Sequence, residues 1–131
     1  MPPLNTYIVE DSPVIRESLI ATLEEMVPVR VVGTAEDEAT AVQWLGNAEH
    51  RVDLVIVDLF LKGGSGLGVL RAAMAWPSRF RLVVLSNYAT QDMRRKCLEL
   101  GADRVFDKSN EIDALIGYCG QLAADGPQVP A

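Results

Sequence analysis

Five times along the chain a short run of Val, Ile and Leu is followed by a segment whose apolar residues recur with a helical period. This alternation restricts the fold more than any other feature. Repeated strand and helix units pack as parallel strands covered by their own crossover helices. The strands read from the sequence are Thr6 to Val9, Val29 to Gly33, Leu54 to Val57, Arg81 to Leu85 and Asp103 to Phe106. Most are apolar throughout, as strands buried on both faces of a parallel sheet are. Five βα units with right-handed crossovers are too short a chain for an eight-fold barrel. They predict an α/β fold, a doubly wound (βα)5 three-layer sandwich around a five-stranded parallel sheet of order 2-1-3-4-5.

The helices carry the complementary pattern. Ser12-Pro13 is a start signal for a first helix with Ile15, Leu19, Leu23 and Met26 inward and Arg16, Glu17, Glu24 and Glu25 outward. A second runs from about Glu36 to Ala48 on Ala39, Val42 and Leu45. A third follows Ser65, with Leu67, Leu70, Ala73 and Met74 inward, and closes at Pro77. Thr90 caps a fourth that ends at Gly101, and Ser109 caps a fifth whose stripe is Ile112, Leu115, Ile116, Cys119 and Leu122. At 131 residues the chain fits one domain. Residues 1–122 are read as that domain. Residues 123–131, with Asp125-Gly126-Pro127 and no periodicity, are read as a tail or linker stub.

The apolar runs are far too short to span a bilayer and Met1 to Glu10 lacks a signal-peptide layout, so no membrane association and a cytoplasmic location are expected. A net charge of −6 argues against direct nucleic acid binding, which needs a clustered basic surface. Cys97 and Cys119 are too far apart for a CxxC motif and fall on apolar helix faces, so they read as buried thiols. The single histidine, His50, precedes the third strand at the opposite edge of the sheet and reads as a loop residue, which removes histidine-based nucleophilic schemes.

In an open α/β sheet the ligand sits beyond the carboxyl ends of the strands where strand order reverses, here between strands one and three. Those ends read Glu10-Asp11, Asp58, Ser86 and Asp107-Lys108. Any one of these alone is as readily a turn former or helix cap. Together they place acids, a hydroxyl and an ammonium on one edge. Carboxylates crowded within about 4–6 Å raise one another's pKa, so such a cluster calls for a cation. All-oxygen ligation with room for water and phosphate suits Mg²⁺ rather than zinc. Phosphoryl transfer needs a metal, a cation and hydroxyl donors around the moving oxygens, and this set supplies them. Asp58 would be the nucleophile, with Lys108 and Ser86 each holding a phosphate oxygen.

The segments Ile8-Val9-Glu10-Asp11-Ser12, Leu54-Val55-Ile56-Val57-Asp58-Leu59, Val84-Leu85-Ser86, Gly101-Ala102-Asp103 and Phe106-Asp107-Lys108, in this order and spacing, resemble the receiver domains of two-component response regulators. The resemblance covers about Asn5 to Leu122 and includes Gly66. It implies a flavodoxin-like fold with Asp58 as phosphoacceptor, Lys108 as phosphate-binding lysine and Ser86 as switch hydroxyl. It implies Mg²⁺ held by Glu10, Asp11, Asp58 and the backbone carbonyl of Phe60. The phosphoryl group would come from a sensor histidine kinase or histidine phosphotransfer protein. The domain would catalyse that transfer and its own dephosphorylation without being an enzyme on other substrates. Phosphorylation would reshape the face made by the fourth helix, fifth strand and fifth helix, which would also serve a homodimer.

The family's aromatic switch position is occupied by Val105, with Phe106 beside it on the other side of the strand. The proline that commonly follows the lysine is replaced by Ser109, so a trans Lys108–Ser109 bond is expected, since a cis bond there would cost about 3–4 kcal/mol. Lys62 replaces another common proline, and with Gly63 and Gly64 it leaves the 62–65 loop open to motion. Phe60 and Tyr88 flank the site and are candidates to screen an acyl phosphate from water. Because no helix-turn-helix follows Leu122, a stand-alone signalling module is the adopted reading. The alternatives are the receiver part of a DNA-binding transcriptional regulator without its effector domain, and a degenerate receiver acting only as a protein-interaction module. The acidic first turn, Asp11-Ser12-Pro13, disfavours a flavodoxin-like cofactor binder, which would need glycines around a phosphate.

Overall fold

The computed structural model of the chain describes residues 3–76, 80–87 and 89–125. Within them the element order is β1 (Leu4–Val9), α1 (Pro13–Met26), β2 (Val29–Ala35), α2 (Glu38–Leu45), β3 (Leu54–Val57), α3 (Gly66–Ala73), β4 (Arg81–Ser86), α4 (Gln91–Glu99), β5 (Arg104–Asp107) and α5 (Ile112–Asp125). All strand pairs are parallel and the sheet order is β2-β1-β3-β4-β5, as the sequence predicts. Pro77, expected to close the third helix, lies outside the described residues, as do Tyr88 and residues 126–131.

Strand side chains alternate between the two faces of the sheet, and this splits the core in two. Tyr7, Val9, Val55, Val57, Leu82, Val84 and Val105 pack with residues of α2, α3 and α4, including Ala41, Leu45, Leu70 and Cys97. Leu4, Ile8, Leu54, Ile56, Leu85 and Phe106 pack on the other face with Leu19 and Leu23 of α1 and Leu115 and Cys119 of α5. Both cysteines are buried free thiols, and burial pushes that of Cys119 up to about 12. The edge strands depart from all-round burial: β5 exposes Arg104, and β2 exposes Arg30, Val32 and Thr34 because one of its faces has little cover.

Local signals set the helix ends. Ser12, Ser65 and Thr90 accept from the backbone N–H groups of Ile15, Leu67 and Met93, at 3.3, 3.0 and 3.2 Å. Gly101 follows α4 at φ +100°, a left-handed conformation that glycine adopts without strain. Its N–H donates to Leu98 and that of Ala102 to Cys97, which closes the last turn with a Schellman pair.

Four expectations are corrected. The second helix starts at Glu38, because Asp37 caps it by accepting from Thr40 N–H at 2.7 Å, and its buried residues are Ala41 and Leu45 while Ala39 is exposed. Ile15, Met26 and Met74, expected inward, are exposed. Ser109 is not a cap: α5 begins three residues later, and the Ser109 N–H and hydroxyl both donate to Asp107 Oδ1. Residues 123–125 are helix, with Ala123 buried, where a tail was expected. The Lys108–Ser109 bond is trans, as expected.

Candidate functional site

Register brings the strand tips to the same edge of the sheet. Val9 pairs with Val57 and Val57 with Val84, so β1 and β3 end level, while β4 and β5 end level with each other, Ser86 paired with Asp107, two residues further along. The ladders continue one step into the loops. Asp58 N–H donates to Val9 carbonyl at 2.9 Å and Lys108 N–H to Ser86 carbonyl at 3.0 Å, which fixes the backbone under both side chains. Glu10, Asp58 and Ser86 are the buried members, at 2%, 7% and 0% exposure, while Asp11 is half-buried.

Oxygens of Glu10, Asp11 and Asp58 lie within 4.8 Å of one another. Lys108 Nζ bridges two of these acids, donating to Glu10 Oε1 and, at 3.1 Å, to Asp58 Oδ2. The remaining Glu10 oxygen accepts from Ser12 N–H at 3.1 Å, and Asp58 Oδ1 accepts from Phe60 N–H at 3.4 Å. Burial pushes the Glu10 carboxyl up, against the opposing hydrogen bonds of Lys108 and Ser12. Burial also works against the Lys108 ammonium, but its hydrogen bonds and attraction to Glu10 and Asp58 outweigh that, and its pKa is raised. The two acids beside it therefore hold the Lys108 ammonium charged. The oxygen-only donor set fits a hard divalent cation such as Mg²⁺, with Glu10, Asp11 and Asp58 as its anionic ligands.

Of the predicted tip residues, Glu10, Asp11, Asp58 and Lys108 come together, Ser86 is buried at the end of β4, and the Asp107 carboxylate accepts from Ser109 instead. Val105 and Phe106 lie on opposite faces of β5, as expected, both buried. Phe60, two residues beyond Asp58, is 52% exposed. His50 is more engaged than a plain loop residue, since its Nδ1 lies 2.8 Å from Trp44 carbonyl and its ring stacks on Trp44.

Two groups around the site had no clear sequence signal. Arg16, read as outward, turns back so that its guanidinium donates to Glu10 carbonyl at 2.9 Å and pairs with Glu36 at 3.3 Å. Arg94 donates to the carbonyls of Ala89 and Val105, each at 3.0 Å, and to Glu111. Glu111 Oε1 also accepts from Asp107 N–H at 2.9 Å, next to Lys108. This joins α4, the end of β5 and the loop carrying the lysine. Both arginines act through tertiary contacts that no spacing encodes.

A family model described as the response regulator receiver domain matches residues 6–119. The chain belongs to that family. This receiver domain is 34% identical over 115 residues to protein-glutamate methylesterase/protein-glutamine glutaminase 3 of Myxococcus xanthus, covering 86% of the chain and 32% of that protein. It is 30% identical over 99 residues to the transcriptional regulatory protein MalR of Bacillus subtilis, covering 76% of the chain and 41% of MalR. The receiver domain therefore spans well under half the length of these two relatives. In fold it is similar to a LuxR-family two-component response regulator from Aurantimonas, with a TM-score of 0.82 at 23% identity, covering 98% of this chain and 91% of that one. No helix among the described residues is long and apolar enough to cross a membrane.

Proposed function

We propose that this receiver domain accepts a phosphoryl group on Asp58, with Mg²⁺ bound by Glu10, Asp11, Asp58 and the Phe60 carbonyl. The observation that carries the reading is the Lys108 ammonium seated between Glu10 and Asp58, residues 98 and 50 positions away in the chain. An ammonium on a nucleophilic carboxylate can move to a phosphoryl oxygen as charge builds there. An Asp58 oxygen attacks phosphorus, the bond from phosphorus to the donor breaks, and the donor leaves with the electron pair. When bound, the metal supplies charge neutralisation between the acids and the incoming group. Glu10 and Asp11 hold it, Lys108 and Ser86 receive the phosphoryl oxygens, and the Phe60 N–H orients Asp58.

The donor would be a sensor histidine kinase or histidine phosphotransfer protein. An apolar depression beside Lys108, lined by Val14, Ile15, Leu19 and Ile112, offers a seat for such a partner next to the chemistry. Phosphorylation would act on the face of α4, β5 and α5, also the candidate homodimer surface, and the half-exposed Phe60 ring would slow the entry of water to the acyl phosphate. The domain is read as cytoplasmic, with α5 included to its end at Asp125 in the functional unit and no direct contact with nucleic acid.

Incubation with Mg²⁺ and acetyl phosphate tests this. Wild type is expected to gain phosphate, seen by intact mass, while Asp58→Asn and Lys108→Ala do not. Labelling of Asp58→Asn at the wild-type level would remove the assignment. Because MalR is a transcriptional regulator, the receiver part of a DNA-binding protein is the second reading, and the length of the open reading frame decides it.

A further inference from the structure

The loop between β3 and α3, with Lys62, Gly63 and Gly64, looks open to motion in the sequence, yet it is fastened to α2 through one residue. Glu38, the first residue of α2, donates its N–H to Gly63 carbonyl at 2.9 Å, and its carboxylate Oε1 accepts from Ser65 N–H at 2.9 Å. Ser65 in turn forms an antiparallel bridge with Phe60, and Gly66 N–H donates to Leu59 carbonyl at 2.9 Å, so the segment folds back as a narrow hairpin. Phe60 closes the chain of contacts with its N–H on Asp58 Oδ1.

The space for the Glu38 side chain is left by two glycines. A Cβ on Gly64 would lie 2.6 Å from Glu38 Cβ and Oε1, and one on Gly68 would lie 2.2 Å from Glu38 Cδ and Oε1. Gly64 also holds φ at +77°, which glycine alone adopts freely. A side chain at either position would evict the carboxylate. Two neighbouring turns are thus shaped around one acid that is not itself among the clustered site carboxylates.

We propose that Glu38 is a positioning residue for the cation site. Its carboxylate fixes the hairpin at Ser65, and the hairpin sets both the Phe60 carbonyl and the Phe60 N–H that orients Asp58. The inference rests on the reading of Glu10, Asp11, Asp58 and Phe60 as the Mg²⁺ ligands. Groups that hold a ligand in place typically change metal affinity by about 10- to 100-fold when removed.

A pair of conservative variants separates position from charge. Glu38→Gln keeps an acceptor at the same reach and loses the charge. Glu38→Asp keeps the charge and is one methylene short of Ser65 N–H. Mg²⁺ affinity is measured by titration calorimetry on the full chain, and exchange of the Ser65 amide by NMR without metal. Glu38→Asp is expected to bind Mg²⁺ about 10-fold more weakly and to exchange Ser65 faster, with Glu38→Gln matching wild type in both. If Glu38→Asp lacks a cooperative melt, Gly68→Ala displaces the same carboxylate and is expected to weaken Mg²⁺ alike. Weak binding by Glu38→Gln with normal binding by Glu38→Asp would show a charge effect and overturn the proposal. Wild-type affinity in both variants overturns it too, with the metal site standing. Failure of wild type to bind Mg²⁺ removes the metal reading itself, and the role of Glu38 with it.

Discussion

Gly66, at the start of α3, gives a sharp test of how the loop after Asp58 is packed. A Cβ added there would lie 2.2 Å from Asp58 carbonyl oxygen, 2.7 Å from Leu59 Cα and 2.9 Å from Asp58 carbonyl carbon. All three are backbone atoms, so no side-chain rotation relieves the overlap. Ordinary contact lies near 3.5 Å, so the loop and helix must part by about 1 Å. Such overpacking costs about 1–3 kcal/mol, and moving backbone places it at the upper end. Alanine's helix propensity returns at most about 1 kcal/mol. The net expectation for Gly66→Ala is a loss of about 2 kcal/mol, with slower labelling by acetyl phosphate because the atoms that yield belong to Asp58. Gly117 is the control. It is exposed in the interior of α5, and a Cβ there meets nothing within 4 Å. Gly117→Ala should therefore stabilise by about 0.5–1 kcal/mol. Guanidinium unfolding of both variants measures the difference. Gly66→Ala as stable as wild type would refute the claim that α3 rests directly on the Asp58 backbone.

Two further outcomes are expected. Glu111 has its carboxyl held low, first by the Arg94 hydrogen bond and then by Asp107 N–H. A depressed folded pKa contributes stability above the unfolded value of about 4.3 that disappears as pH falls through the folded one. The stability gap between wild type and Glu111→Gln should therefore be full at neutral pH and vanish in acid, and a gap unchanged by pH would contradict the ion pair. Cys119, buried and pushed up to about 12, should react with a disulfide reagent at mildly alkaline pH only at the rate of unfolding. Rapid native-state labelling of a Cys97→Ala background would show the layer between α5 and the sheet to be open.

The sheet was legible because most of its strands are apolar throughout and β1, β3, β4 and β5 each end in or run directly into a polar residue. Those two signals also delivered Glu10, Asp58, Ser86 and Lys108 to one edge. The failures have local causes. Three acids in a row from Glu36 to Glu38 offer several starts for α2, and only the fold shows Asp37 taking the cap. Ser109 looked like a cap, but Asp107 two residues earlier captures its hydroxyl. Arg16, Glu38 and Arg94 escaped notice because surface-type residues in amphipathic helices carry no mark of what they reach across a loop. Glycines spaced as Gly64, Gly66 and Gly68 were the one hint that something else needed their room.

The division of the core matters most mechanically at β5, the strand that leads into Lys108. It is only four residues long, yet Val105 is embedded in the slab beneath α4 while Phe106 is embedded in the slab beneath α5. Any tug on Lys108 must be shared by both slabs at once. A phosphoryl group that draws the lysine away from its two acids would therefore be felt on the front and the back of the molecule together, without an aromatic lever at position 105 to carry the message.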